Sequence, residues 1–138
     1  MAELVRFGVS LDRDLLSKFD PRIKEKGYSN RSEAIRDLIR ESLIKKEWEK
    51  GEEVAGAITL VYNRHKRELV NKLTDIQHRH HEVIISTQHI HLDEDNCLEI
   101  VVVKGKPEEV TRLADRLRAG KGVKHGALTM ATTGKGVK

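Results

Sequence analysis

The sequence predicts an α+β protein in two parts: a strand followed by two helices over about residues 1–50, then a β-α-β-β-α-β domain of ferredoxin-like order over about 51–138. Three observations predict it. Residues 4–11, LVRFGVSL, alternate apolar and polar before two segments with helical spacing. The second half then switches to β-branched runs at 54–62, 82–92 and 97–104. Between the last two of these runs lies a turn cluster, Asp93-Glu94-Asp95-Asn96.

Composition narrows the function classes. The 138 residues are 35% charged and 38% hydrophobic, and no run approaches the ~20 apolar residues of a membrane-spanning helix. The opening MAELVRFGVS lacks the apolar core of a signal peptide, so a cytoplasmic location is expected. A single cysteine, Cys97, excludes an internal disulfide. The net charge of +4 is spread evenly over the two halves, so any nucleic-acid reading must rest on local pattern. Both domains are small, and association of several chains would help them bury enough apolar surface. Six of the seven histidines fall between His65 and His91.

In the first part, Val5, Phe7, Val9 and Leu11 share one strand face, and Arg6, Gly8 and Ser10 the other. Asp12 is a suitable N-cap for a helix through about Lys26, with a break or local distortion expected at Pro21 and closure at Gly27. Asn30 and Glu33 have capping-box spacing at the start of a second helix, whose apolar stripe is Ala34, Ile35, Leu38, Ile39 and Leu43. Lys45–Glu53, with Gly51, reads as helix end plus linker. A lone strand has no pairing partner in its own chain. Pairing with the same strand of a second chain gives an antiparallel ribbon that fits the DNA major groove. Order and spacing resemble the ribbon-helix-helix repressors. That resemblance implies base reading by Arg6, Gly8 and Ser10 and a phosphate clamp at the helix start, Asn30-Arg31-Ser32. A guanidinium at Arg6 can engage both acceptors on the major-groove edge of guanine.

In the second part, strands at 54–62, 82–92, 97–104 and about 122–131 alternate with helices at 64–79 and from Pro107 to Ala119. The tail TTGKGVK is expected to be disordered. His89 and His91, two apart on a strand, project from one face, and Cys97 lies just across the acidic turn. If His91 faces Cys97, Glu99 falls opposite His89, and two imidazoles and a thiolate share one hairpin face. The opposite face (Ile84, Ile90, Leu92, Leu98, Ile100, Val102) is expected to pack on the helices. The metal face, with Val83, Ile85, Val101 and Val103 at its far end, is expected to meet a second subunit. A fourth donor is expected from Gln77-His78-Arg79-His80-His81. Three nitrogens and one sulfur suit square-planar Ni(II) or Cu(II) and can also hold tetrahedral Zn(II).

The stretches GYSNRSEAIRDLIR, KRELVNKL, IQHRHHE, HIHLDEDNCLEIVVVKG and GVKHG then resemble NikR, the family of nickel-responsive repressors, from Arg6 to about Leu128. The resemblance implies a ribbon-helix-helix domain joined to an ACT-type domain, assembled as a homotetramer on operator double-stranded DNA. It implies one Ni(II) per subunit, held by His89, His91 and Cys97 of one chain and His78 of a neighbour. Tyr62 and Glu99 match positions just behind the ligands, Glu33 and Asp37 a second cation site, and Lys66 and Arg67 a grip on the DNA backbone. Many relatives carry a hydroxyl residue where Gly8 stands and threonine where Ser10 stands, so the operator sequence is open. So is the role of His65, His80, His81 and His125.

Two rival readings stand beside it. ACT-type domains often take amino acids, which would make this a small-molecule-responsive regulator. A zinc enzyme with two histidines, Cys97 and an open water position would need Glu99 as its acid/base. The enzyme ranks last, because the metal face is needed for assembly.

Overall fold

A computed structural model describes residues 3–137; Met1, Ala2 and Lys138 lie outside the described residues. The chain divides between Ile39 and Arg40 into two compact units.

In the first unit, the segment expected as a strand makes no ladder within its own chain. Its apolar side chains are uncovered, with Leu4 91% and Phe7 70% exposed. Helix α1 covers Arg13–Glu25. Asp12 stands at its N-cap, but only its carbonyl, accepting from the Leu16 amide at 3.1 Å, takes part; the side chain makes no capping bond. The break expected at Pro21 does not occur. Proline forfeits only the bond to the Ser17 carbonyl. The turn beyond it is held by buried Ile23 and by the Lys26→Arg22 and Tyr28→Ile23 backbone bonds around Gly27, whose φ of 87° suits a residue without Cβ. Helix α2 covers Arg31–Lys50. Asn30 caps it by accepting from the Glu33 amide at 2.9 Å, while Glu33 accepts from the Ser29 amide at 3.4 Å.

The second unit is a four-stranded antiparallel sheet of order β2-β3-β1-β4 carrying two helices. Its elements are β1 (Val54–Asn63), α3 (Arg67–Arg79), β2 (Ile84–His91), β3 (Asn96–Gly105), α4 (Pro107–Arg118) and β4 (Val123–Met130). This is the βαββαβ order. The alternation of β1 places Val54, Ile58, Leu60 and Tyr62 in the core and leaves Ala55, Ala57, Thr59 and Val61 half-buried. Leu69, Leu73 and Ile76 of α3 and Val110, Leu113 and Leu117 of α4 complete the core, each contributing roughly 1.5–3 kcal/mol by burial.

Two expectations about the sheet are corrected. The face that packs on the helices is the one bearing Cys97, Glu99, Val101 and Val103; Leu98, Ile100 and Val102 are the half-buried set. The cause is register. Tyr62 pairs with Cys97, Leu60 with Glu99 and Ile58 with Val101, so the buried side of β1 fixes the buried side of β3. Ile84 also changes sides. The β2–β3 register slips between Ile84 and Ser86, which puts Ile84 opposite Val103 and leaves Ile85 61% exposed. Val83, Val101 and Val103, expected to meet a second subunit, are thus buried in their own chain.

Lys45–Glu53 is helix end followed by a short connection, as expected. Helix α2 continues to Lys50, Trp48 enters the core, and only then does Gly51, at φ 75°, turn the chain into β1. Residues 132–137 of the tail have no regular structure, yet they are tied down: Thr132 Oγ1 donates to Glu47 at 2.9 Å.

Candidate functional site

The register of the β2–β3 hairpin decides what the histidines can do. His91 pairs with Cys97 and His89 with Glu99, so two imidazoles, the thiol and a carboxylate lie on one sheet face. The two imidazoles are exposed, whereas Cys97 is 3% and Glu99 1% exposed. A carboxylate so deep needs partners. Tyr62 donates to its Oε1 at 2.5 Å, Gln77 Nε2 donates to Oε2 at 2.5 Å, and His89 Nδ1 approaches Oε1 at 3.1 Å. Thr87 in turn donates to Gln77 Oε1 at 3.1 Å, which fixes which end of that amide faces Glu99. Burial, and then the bond to Glu99, pushes the Tyr62 hydroxyl far above the ordinary phenol range, so it remains a donor.

The contact with Glu99 sets the histidine chemistry. With Nδ1–H directed at the carboxylate, Nε2 of His89 keeps its lone pair free, the usual preparation of an imidazole for a metal. His91, His89 and Cys97 thus supply nitrogen and sulfur donors from one hairpin face. His78 is exposed on the last turn of α3 and does not join them. Among the described residues no three His, Cys, Asp or Glu side chains converge closely enough within this one chain to hold an ion. In donor type, two imidazoles and a thiol fit a thiolate–imidazole metal site.

The acidic turn is built for rigidity. Asp93 accepts from the Asp95 and Asn96 amides at 2.9 and 2.7 Å and from Asn96 Nδ2, and these bonds hold its carboxyl down at about 2. His65 and Arg64 both reach the Glu94 carbonyl. His80 accepts from Arg116 Nη1 at 3.2 Å; partial burial and the nearby arginines hold its pKa below the ordinary value.

In the first unit, Arg6 lies with Leu4, Val5, Phe7 and Val9 around an open hollow of about 550 Å³ closed by Ser32, Ile35, Arg36 and Ile39. Gly8 and Ser10 are exposed, and a Cβ at Gly8 would meet nothing within 4 Å, so no contact within the chain requires glycine there. Asn30 and Ser32 lie at the start of α2. Arg31 is committed elsewhere: its Nε and Nη2 donate to both oxygens of Asp20 at 2.9 and 2.7 Å, which holds the Asp20 carboxyl below its ordinary value. Glu33 and Asp37 are half-buried, and each serves its own unit, Glu33 as part of the cap and Asp37 as acceptor for the Tyr28 hydroxyl at 2.7 Å. Lys66 and Arg67 are exposed at the start of α3 in the other unit.

Sequence reasoning missed Thr87 and Asp20, and it named Gln77 only within the stretch expected to supply a fourth donor, not as a partner of Glu99. Gln77 carried a signal. It lies four residues after Leu73 and eight after Leu69, a polar residue beside the buried stripe of an amphipathic helix, where it must find a partner.

Residues 55–131 match the family described as the NikR C terminal nickel binding domain, and residues 5–46 match the ribbon-helix-helix protein, copG family. Among curated relatives, a protein of Syntrophus aciditrophicus named as a nickel-responsive regulator is 60% identical over 135 residues, covering 98% of each chain. One of Pyrococcus furiosus with the same name is 54% identical, covering 97% of this chain and 98% of the relative. Among solved structures, the uncharacterized protein TM1266 from Thermotoga maritima superposes with a TM-score of 0.52 at 16% identity. It covers 57% of this chain and 98% of its own, a likeness of fold alone.

Proposed function

This chain belongs to the NikR family of nickel-responsive ribbon-helix-helix regulators, and on that premise we propose that it binds operator DNA when Ni(II) occupies a site shared between subunits. Residues 1–50 serve as the DNA-binding domain and 51–138 as the metal-binding and assembly domain of a homotetramer. It works in the cytoplasm to repress nickel uptake genes; among the described residues no helix is long and apolar enough to cross a membrane.

The observation that carries the reading is the pairing of His91 with Cys97 beside His89, whose Nδ1 faces buried Glu99. His89 and His91 would give nitrogens and Cys97 its sulfur, with His78 of a neighbouring chain completing the set at one ion per subunit. Bound Ni(II) would supply a cross-link between chains. Cys97 must give up its proton to ligate, so affinity falls as pH falls. Glu99, held by Tyr62 and Gln77, keeps His89 in its tautomer and orientation. Because Gln77 precedes His78 on α3, the same hydrogen bonds tie the last turn of that helix to the sheet.

On the DNA side, Arg6, Gly8 and Ser10 of a two-chain ribbon would read the major groove. The free amides of Asn30, Arg31 and Ser32 would take a phosphate, with the guanidinium of Arg31 occupied by Asp20. Lys66 and Arg67 would add backbone contacts, and Glu33 with Asp37 would take a second cation. Coupling of about 1–3 kcal/mol between nickel and operator suffices for a switch.

Operator binding with and without Ni(II), together with the absorption spectrum of the loaded protein, tests this. Wild type should show a nickel–thiolate band and nickel-dependent operator affinity, and Cys97→Ala should lose both. Retention of nickel-dependent binding by Cys97→Ala rejects the site.

A further inference from the structure

The end of α2 and the tail beyond β4 meet at one place. The stretch expected to be a disordered tail lies along the helix end. All the contacts are within the second unit. Trp48 of α2 is 8% exposed in the core, and its Nε1 donates to the Ala131 carbonyl at 2.9 Å. One turn earlier, Ile44 packs against the same core. Beyond β4, the Ala131 amide donates to the Ala55 carbonyl at 2.9 Å, extending the ladder by one residue. Thr132 Oγ1 then donates to both oxygens of Glu47, at 2.9 and 3.3 Å, and accepts from the Gly134 amide at 3.1 Å. Gly136 passes so close that a Cβ there would lie 3.2 Å from Glu47 Oε1. The sheet beneath leaves no slack: a Cβ on Gly56 would meet the Thr129 carbonyl at 2.9 Å and the Trp48 ring at 3.5 Å.

We infer that residues 131–136 form a strap that clamps the second half of α2 to the sheet, making Glu47, Trp48 and Thr132 positioning residues for the helix that runs back to Arg31 and the DNA-binding segment. The inference rests on the regulator reading for its consequence but not for its geometry. Helix α2 is highly charged, and residues 45–50, KKEWEK, hold a single apolar residue, Trp48. Such a segment has little reason of its own to adhere to a core, and helical ends fray unless something holds them. The strap supplies that hold through an indole donor and a hydroxyl–carboxylate bond. A strain arising in the sheet domain is then delivered to a helix that cannot absorb it by peeling away at residues 43–50. Without the strap the same strain would be lost in local unfolding.

Two variants test this: a chain ending at Met130, which removes the Ala131 acceptor together with the rest of the strap, and full-length Thr132→Val, which keeps the side-chain shape and removes the hydroxyl. Each is studied as the assembled protein, without nickel and loaded with it, by amide hydrogen exchange. Emission from Trp48, the single tryptophan, is followed in parallel. In the truncated chain, amides of residues 43–50 should exchange about tenfold faster or more. The Trp48 emission should shift to the red, while α4 and β1 stay protected. Thr132→Val should show a smaller change in the same segment. Both variants should bind nickel normally, and the truncated chain should lose most of the difference between its nickel-loaded and nickel-free operator affinities. Unchanged exchange over 43–50 in the truncated chain overturns the strap, and so does faster exchange throughout α4 and β1, which would make the tail a general part of the core. An intact protein that bound nickel or operator without coupling them would instead sink the regulator reading, and the exchange result would still decide the strap.

Discussion

Tyr62→Phe isolates one hydrogen bond at the heart of the candidate site, the one to buried Glu99. The ring of Tyr62 is 2% exposed, so phenylalanine keeps its packing and volume, and no cavity opens. What disappears is the 2.5 Å donation to Glu99 Oε1. That oxygen then has only His89 Nδ1, at 3.1 Å, on an imidazole that solvent can pull away. Hydrogen bonds to charged groups contribute about 1.5–3 kcal/mol, and the loss falls within that range because Glu99 is 1% exposed but keeps Gln77 and His89 as partners. For a chain of this length about 2 kcal/mol corresponds to a fall in Tm of roughly 5–10 °C. The assay is urea and thermal unfolding of the metal-free protein at one fixed protein concentration, so that any association of chains contributes equally to both proteins. A second readout is nickel affinity. With Glu99 less firmly held, His89 is oriented less well, and affinity should fall about tenfold. A loss of stability below about 0.5 kcal/mol would refute the claim that the carboxylate depends on Tyr62, and with it the chain of reasoning from Glu99 to His89.

Three further outcomes follow from the same geometry. Gly56→Ala should destabilise by about 1–3 kcal/mol in urea unfolding, because the new Cβ would sit 2.9 Å from the backbone carbonyl of Thr129, which cannot swing aside. Asn30→Ala removes the bond to the Glu33 amide and should cost about 1 kcal/mol, with faster amide exchange confined to the first turn of α2. Asp93 has its carboxyl lowered to about 2 by the Asn96 and Asp95 donors. A depressed native value means its contribution is fully present above the unfolded pKa of about 4 and is lost as pH falls toward 2. Wild type should therefore lose stability between these values, and Asp93→Asn should lack that part of the acid dependence; equal acid profiles would show that the turn bonds do not matter.

The order of elements was legible because each β run has a period of two and each helix an apolar stripe, and both periods survive tertiary packing. The hairpin register was legible from one constraint: a tight acidic turn between His91 and Cys97 leaves few ways to pair the strands. The slip at Ile85 was not legible, since nothing in EVIISTQHI distinguishes a bulged residue from a paired one. The continuity of α1 through Pro21 was hidden for a similar reason. Proline announces its local cost, whereas the compensation comes from the burial of Ile23 and the closure around Gly27. Arg31 was assigned to phosphate from its place at a helix start, but its partner Asp20 lies eleven residues away on another helix, beyond the reach of local spacing.

The inverted sheet faces carry the deeper lesson. Counting apolar residues favours burying Leu98, Ile100 and Val102 under the helices, because the other side of β3 begins with Cys97 and Glu99. Register overrules the count. Tyr62 must go inward with Ile58 and Leu60, and its cross-strand partner Cys97 goes with it, followed by Glu99. The protein meets the cost of a buried carboxylate with three partners, Tyr62, Gln77 and His89, and in doing so gives the ring of His89 a preferred orientation. Meanwhile Ala57, Thr59, Val61, Leu98, Ile100 and Val102 are left half-buried as an apolar sheet face. The side chains of the candidate site are therefore positioned by the core itself, and the reverse of the same sheet is left as an apolar surface.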